Sequence, residues 1–188
     1  VEDIDIRQFD CLLAAVRAGE VDATTTLFHS FHPQLIRYLR AKEHRVADDL
    51  AGEVWLQVAR RIGEFRGDHR DFRIWVFTLA RRTVIDHRRK GMRRRTDPVD
   101  RRSLEDRPAI DLTDATALER LGAQGALELL HAHLTEMQAE VVSLRVLGQL
   151  DARTVAGMLG RSESWVRVTQ HRALERLARR IGSRGVDR

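Results

Sequence analysis

The sequence predicts an all-α fold divided into two small helical domains, and three observations carry that expectation. Apolar residues recur every three or four positions through most of the chain, which is the spacing of one helix face. Strand-like alternation is scarce, and there are only three prolines. The periodicity lapses once, over 96–114, where Pro98, Pro108 and six acids (Asp97, Asp100, Glu105, Asp106, Asp111, Asp114) collect. The expected organisation is therefore a domain over 1–95, an acidic flexible linker over 96–116 and a second domain over 117–188. A chain of 188 residues suffices for one ordinary domain or two small ones. Two small ones would each gain from burying surface on a partner.

In the first helix, residues 6–18, Ile6, Phe9, Leu13 and Val16 share a face. Asp22 is a candidate cap for the second, in which Leu27, Phe28, Phe31, Leu35 and Leu39 recur. A third is expected after Asp48, its stripe being Leu50, Val54, Val58 and Ile62 at four-residue steps. Residues 63–71 hold two glycines and read as a turn. The fourth helix is "DFRIWVFTLARRTVIDHRRK", residues 71–90, with an aromatic front and a basic tail. Past the linker, a helix is expected from near Ala117 to about His133, and another over 136–147, stopped by Gly148. Asp151 should cap a short helix ending at Leu159 and Gly160, and Ser162 the last one, which runs to about Arg180.

Charge narrows the class of partner. The formal net charge is +5 and the pI about 10.4. Eight basic residues fall between Arg81 and Arg95 against one acid, Asp86, and eight more between Arg153 and Arg184 against Glu163 and Glu175. Two basic blocks on separate segments suit two contacts with one long polyanion. Only Lys42 and Lys90 are lysines. Cys11 is the single cysteine, so no internal disulfide and no cysteine-type zinc site is expected, which fits a reducing cytoplasm. The apolar runs are too short to span a bilayer, so no membrane insertion is expected. The His29/His32 and His131/His133 pairs do not complete a metal set, and no phosphate-binding glycine loop is present. No metal, no cofactor and no catalytic residue is expected.

In "ARTVAGMLGRSESWVRVTQHRAL", residues 152–174, Ala156, Gly160 and Val166 have the spacing of a helix-turn-helix. The small residue lets two helices cross closely, and the glycine takes a left-handed turn. The second helix then offers Ser164, Trp165, Arg167, Val168 and His171 near its start, where a major groove would meet them. The fourth helix carries another pattern. Arg81 and Arg88 are seven apart, as are Arg82 and Arg89, so the basic tail is a stripe on one side. Before it stands "FRGDHRD", residues 65–71. Rings beside arginines suit single-stranded nucleic acid, because any base stacks on a ring while arginines hold phosphates. Some of Phe72, Trp75 and Phe77 must instead be core. On the third helix Asp49, Glu53 and Gln57 line one face near Leu56, either a solvated face or a docking face for a large protein.

These stretches resemble a known family. "ADDLAGEVWLQVARRI" followed by "FRGDHRDFRIWVFTLARRTVIDHRRK" looks like region two of a bacterial extracytoplasmic-function (ECF, group IV) sigma factor of the sigma-70 family, and "LTEMQAEVVSLRVLGQLDARTVAGMLGRSESWVRVTQHRALERL" looks like region four. The resemblance implies a non-catalytic initiation subunit of RNA polymerase. It implies that Asp48, Asp49, Glu53, Leu56 and Gln57 dock on core polymerase. Arg66, Gly67, Asp68, His69, Arg70, Phe72 and Trp75 would capture a flipped base of the single-stranded −10 element, and Arg81, Arg82, Arg88 and Arg89 would hold the adjacent backbone. Arg161, Ser162, Ser164, Trp165, Arg167, Val168, His171 and Arg172 would read the double-stranded −35 element. It further implies an anti-sigma factor as a partner. Trp165 and Thr169 depart from the threonine and basic residue usual in the family. A stand-alone helix-turn-helix repressor is the alternative, although it leaves the 66–89 constellation unexplained.

Overall fold

Helical periodicity is realised throughout the residues that the computed structural model describes, 6–96 and 133–183, and these contain no strand. The linker beyond Thr96 and the helix expected over 117–133 lie almost wholly outside them.

Four helices build the N-terminal half: α1 (Ile6–Arg17), α2 (Val21–Glu43), α3 (Ala47–Arg61) and α4 (His69–Thr96). The expected stripes face inward. Phe9 and Leu13 of α1, Leu27, Phe31, Leu35 and Leu39 of α2, and Leu50, Val54 and Val58 of α3 are buried around Phe72, Val76, Phe77 and Leu79 of α4. Phe9, Phe31 and Phe72 form an aromatic cluster with ring centroids 4.9–6.5 Å apart, in edge-on or tilted pairs that suit the ring quadrupole. Two starts differ from expectation. Helix α2 begins at Val21 after Glu20, so Asp22 lies in its first turn and favours the positive helix end through its charge instead of capping it. Helix α3 begins at Ala47, which places Asp48 and Asp49 in its first turn.

The C-terminal half holds α5 (Glu136–Val142), α6 (Ala152–Leu159) and α7 (Glu163–Ser183). Thr135 starts α5 with a reciprocal capping box to Gln138. Residues 143–147 continue α5 as a π-helical turn, closed by the Gly148 N–H donating to the Ser143 carbonyl at 3.0 Å. Asp151 caps α6, its carboxylate accepting from the Thr154 N–H at 2.8 Å. Gly160 then takes φ 63° and ψ 39°, the left-handed turn expected of it. Ser162 Oγ accepts from the Trp165 N–H at 3.2 Å and starts α7.

The two halves share one apolar core. Val141, Leu144, Leu150, Ala152, Val155, Ala156 and Val166 belong to the same buried cluster as Phe72, Phe77 and Leu39. A second, small cluster of Leu134, Ala139, Val142 and Ala173 ties α5 to α7.

Candidate nucleic-acid interface

The turn before α4 is built by its own residues. Asp68 Oδ1 accepts from the Asp71 N–H at 2.8 Å, and Asp71 Oδ2 accepts from the Asp68 N–H at 3.2 Å, a reciprocal cap. Gly67 stands at φ 144°, and a Cβ there would meet the Asp71 Cβ at 2.6 Å, so the turn closes only over a glycine. Arg66 donates to the carbonyls of Gly63 and Phe65 at 2.9 and 2.8 Å. Arg17 on α1 also donates to the Phe65 carbonyl, at 2.6 Å, and pins the turn from below.

The three aromatics of α4 separate cleanly. Phe72 and Phe77 are core, each 0% exposed. Trp75 is half-buried and stacks on Phe65, with ring centroids 5.1 Å apart and an interplanar angle of 21°. Phe65 was not among the expected site residues, and its signal was the ring it places ten positions before Trp75. The His69 ring lies against Phe9 and Phe31 at 5.4 and 5.0 Å and packs inward. Arg70 is exposed and pairs with Asp151 across the two halves. Of the basic stripe, Arg82 and Arg89 are exposed, while Arg81 and Arg88 are half-buried. Arg88 pairs with Glu43 at 2.5 Å and with Glu136.

On α3, Asp48, Asp49, Glu53 and Leu56 face outward, Leu56 being 57% exposed despite its apolar side chain. Asp48 reaches Arg40 at 3.4 Å. Gln57 turns partly inward and donates to Thr83 Oγ1 at 3.1 Å. Nearby, Trp55 Nε1–H donates to His32 Nδ1 at 3.2 Å, and burial lowers the His32 pKa.

In α7, Val166 and Ala173 point into the core, while Ser164, Arg167, Val168, His171 and Arg172 form one exposed face. Val168 is 48% exposed on that face. Arg167 reaches Glu163 at 2.6 Å and His171 reaches Glu175 at 3.3 Å, exposed pairs of small energetic weight. Trp165 packs against the core with the Arg161 guanidinium 5.3 Å over its ring. Arg145 donates to Gln170 Oε1 at 2.8 Å and to the Leu150 carbonyl at 2.6 Å, fixing the angle between α7 and the turn before α6.

Sequence reasoning missed the seam between the halves. Glu140 of α5 lies with Lys42 Nζ at 2.6 Å, the Tyr38 hydroxyl at 3.2 Å and Arg81 Nε at 3.2 Å. The Arg81 contact is ionic, without hydrogen-bond alignment. Burial, followed by the nearby Glu140 carboxylate, pushes the Tyr38 hydroxyl well above its usual value. Burial lowers the Lys42 ammonium, and Glu140 partly offsets that.

Residues 27–94 match the family model for sigma-70 region 2, and residues 124–177 that for sigma-70, region 4. The chain is 36% identical over 168 residues to the ECF RNA polymerase sigma factor ShbA of Streptomyces griseus subsp. griseus, covering 85% of this chain and 87% of that protein. It is 32% identical over 179 residues to the ECF RNA polymerase sigma factor BldN of Streptomyces coelicolor, covering 94% and 67%. The fold is similar to that of the sigma factor RpoE from Bartonella quintana, solved in complex with the anti-sigma factor NepR, with a TM-score of 0.63 at 21% identity over 89% of this chain and 100% of that one. With both region models matched in order and relatives above 30% identity over most of the chain, this protein belongs to the sigma-70 family as an ECF sigma factor that directs RNA polymerase to transcribe.

Proposed function

We propose that residues 1–95 serve as a region 2 domain that binds core RNA polymerase through Asp48, Asp49, Glu53 and Leu56, and that Gln57 supports that face. The turn over 66–72, framed by Trp75, receives a flipped base of the −10 element, and Arg81, Arg82, Arg88 and Arg89 hold the strand so exposed. Residues 117–188 serve as a region 4 domain whose α7 reads the −35 element as duplex, with 96–116 as the linker. The observation that carries this reading is the Phe65–Trp75 stack at the edge of a basic helix, since stacked rings beside arginines accept a base without regard to its identity. The exposed α7 face supports the second half of it, with Val168 available to a thymine methyl and Arg167 to guanine. In this role the chain carries no catalytic group of its own, works in the cytoplasm and is restrained by an anti-sigma factor. None of the helices among the described residues is long and apolar enough to cross a membrane.

The deciding experiment adds purified protein to core polymerase on genomic templates and maps transcript starts. Starts that share −10 and −35 sequences bear the reading out, and their absence on every template overturns it. A gel shift separates the repressor alternative, which binds duplex operator without core enzyme.

A further inference from the structure

Helix α1 touches the turn before α4 at both of its ends. Where the turn enters α4, the buried Phe9 ring lies edge-on to His69 at 5.4 Å and tilted against Phe72 at 5.7 Å. Where the turn leaves α3, Arg17 donates from Nη2 to the Phe65 carbonyl at 2.6 Å and from Nε to the Ile62 carbonyl at 3.4 Å. All of these contacts lie inside the region 2 half.

Arg17 does not serve its own helix. A cation in a last turn ordinarily offsets the unpaired carbonyls at that helix end. Here Gly19, at φ 84°, closes α1 in a Schellman motif. The Gly19 N–H donates to the Val16 carbonyl at 3.0 Å, and the Glu20 N–H to the Ala15 carbonyl at 3.1 Å. With those carbonyls satisfied, the guanidinium reaches a segment 45 to 48 residues away.

The local bonds of the turn have a different effect. Arg66 donates to the Gly63 and Phe65 carbonyls, three and one residues back. The reciprocal cap of Asp68 and Asp71 spans three residues. Such bonds shape the turn but travel with it. Arg17 ties its backbone to a helix that Phe9 and Leu13 anchor in the core. The tie falls on Phe65, whose ring stacks on Trp75 and meets Phe72 edge-on at 5.3 Å.

We propose that Arg17 is a positioning residue for the −10 interaction. Through the Phe65 carbonyl it holds the Phe65 ring in the stack on Trp75 that receives the flipped base, which makes α1 part of the strand-opening apparatus. This role rests on the base capture proposed above for the turn and Trp75. Arg17 touches no DNA in it. Its effect is to order the turn before the base arrives, so that binding does not have to.

The test uses holoenzyme reconstituted with core polymerase. The probe is a labelled forked promoter DNA whose −10 non-template strand is single-stranded, read by fluorescence anisotropy. Arg17→Ala is expected to weaken binding of this probe about fivefold, the net worth of about one hydrogen bond. The loss should be the same at every salt concentration, with the slope of log affinity against log salt unchanged. An arginine on a single-strand phosphate would instead contribute about −0.7 to that slope. In a Phe65→Ala background the ring is gone, and Arg17→Ala should then weaken binding little further. Thermal unfolding checks each variant; Arg17 is exposed, and its loss should leave the bundle folded. The proposal is wrong if Arg17→Ala leaves probe affinity unchanged, if it makes the salt slope shallower by about 0.7, or if its loss and that of Phe65→Ala add in full. Failure of the underlying reading looks different: Phe65→Ala and Trp75→Ala would each leave probe affinity unchanged.

Discussion

Trp75 and Phe65 show how much a single ring can mean and how poorly sequence fixes its role. Phe72, Trp75 and Phe77 fall within six positions, and composition cannot say which face inward. Packing decides it, because Phe72 completes a cluster with Phe9 and Phe31 contributed by two distant helices. Trp75 stays at the rim, stacked on a turn residue. Its replacement should therefore cost function more than fold. Trp75→Ala is expected to weaken open-complex formation by about 1–3 kcal/mol, the worth of one stacked base, with affinity for core polymerase little changed. Permanganate footprinting of holoenzyme on a mapped promoter, beside a core-binding titration, checks both. Equal loss in the two assays would return Trp75 to a packing role. The same limit on sequence holds for Gln57, which shares a helical register with Asp49 and Glu53 yet bonds inward to Thr83.

At the level of elements, punctuation was the most legible feature. Asp151, Gly160 and Ser162 each stand where the chain must start or stop a helix, and the backbone obeys them. Helix starts set by tertiary packing, such as that of α2 at Val21, left no such mark. The caps can be tested directly. Gly67→Ala forces a Cβ into a positive-φ turn against Asp71, and should cost at least about 1–2 kcal/mol of stability, read as a lowered midpoint in thermal unfolding. Asp151 gives a pH signature. Its cap bond to the Thr154 N–H, helped by Arg70 and opposed by burial, lowers its carboxyl from 3.8 to about 2. The folded state thus holds the charged form more tightly than the unfolded chain does. The resulting stability is complete above the ordinary value of 3.8 and is lost as pH falls through about 2. Asp151→Asn keeps a capping oxygen but no charge, so its unfolding midpoint should vary less across that window than the parent's.

For the whole molecule, class and order of helices were legible because periodicity is local, whereas the relation between the two halves was not. No spacing rule links Lys42 to Glu140, and one of only two lysines in the chain proves to be buried at the seam. Another large surface looks outward. Leu56, at 57% exposure among the acids of α3, adds nothing to the core, so Leu56→Asp should leave the unfolding midpoint unchanged while weakening association with core polymerase by roughly tenfold, about 1.4 kcal/mol. Fluorescence titration with core enzyme measures the second effect and calorimetry the first. The apolar cluster that runs from Leu39 and Phe77 through Leu144 to Val166 crosses between the halves without regard to the stretch of chain that joins them. Covalent continuity is thus not what holds the halves in register. A chain nicked within residues 96–116 should therefore regain the same register whenever its two fragments associate, while dilution well below the tether's effective concentration of about a millimolar should part them, as read by gel filtration.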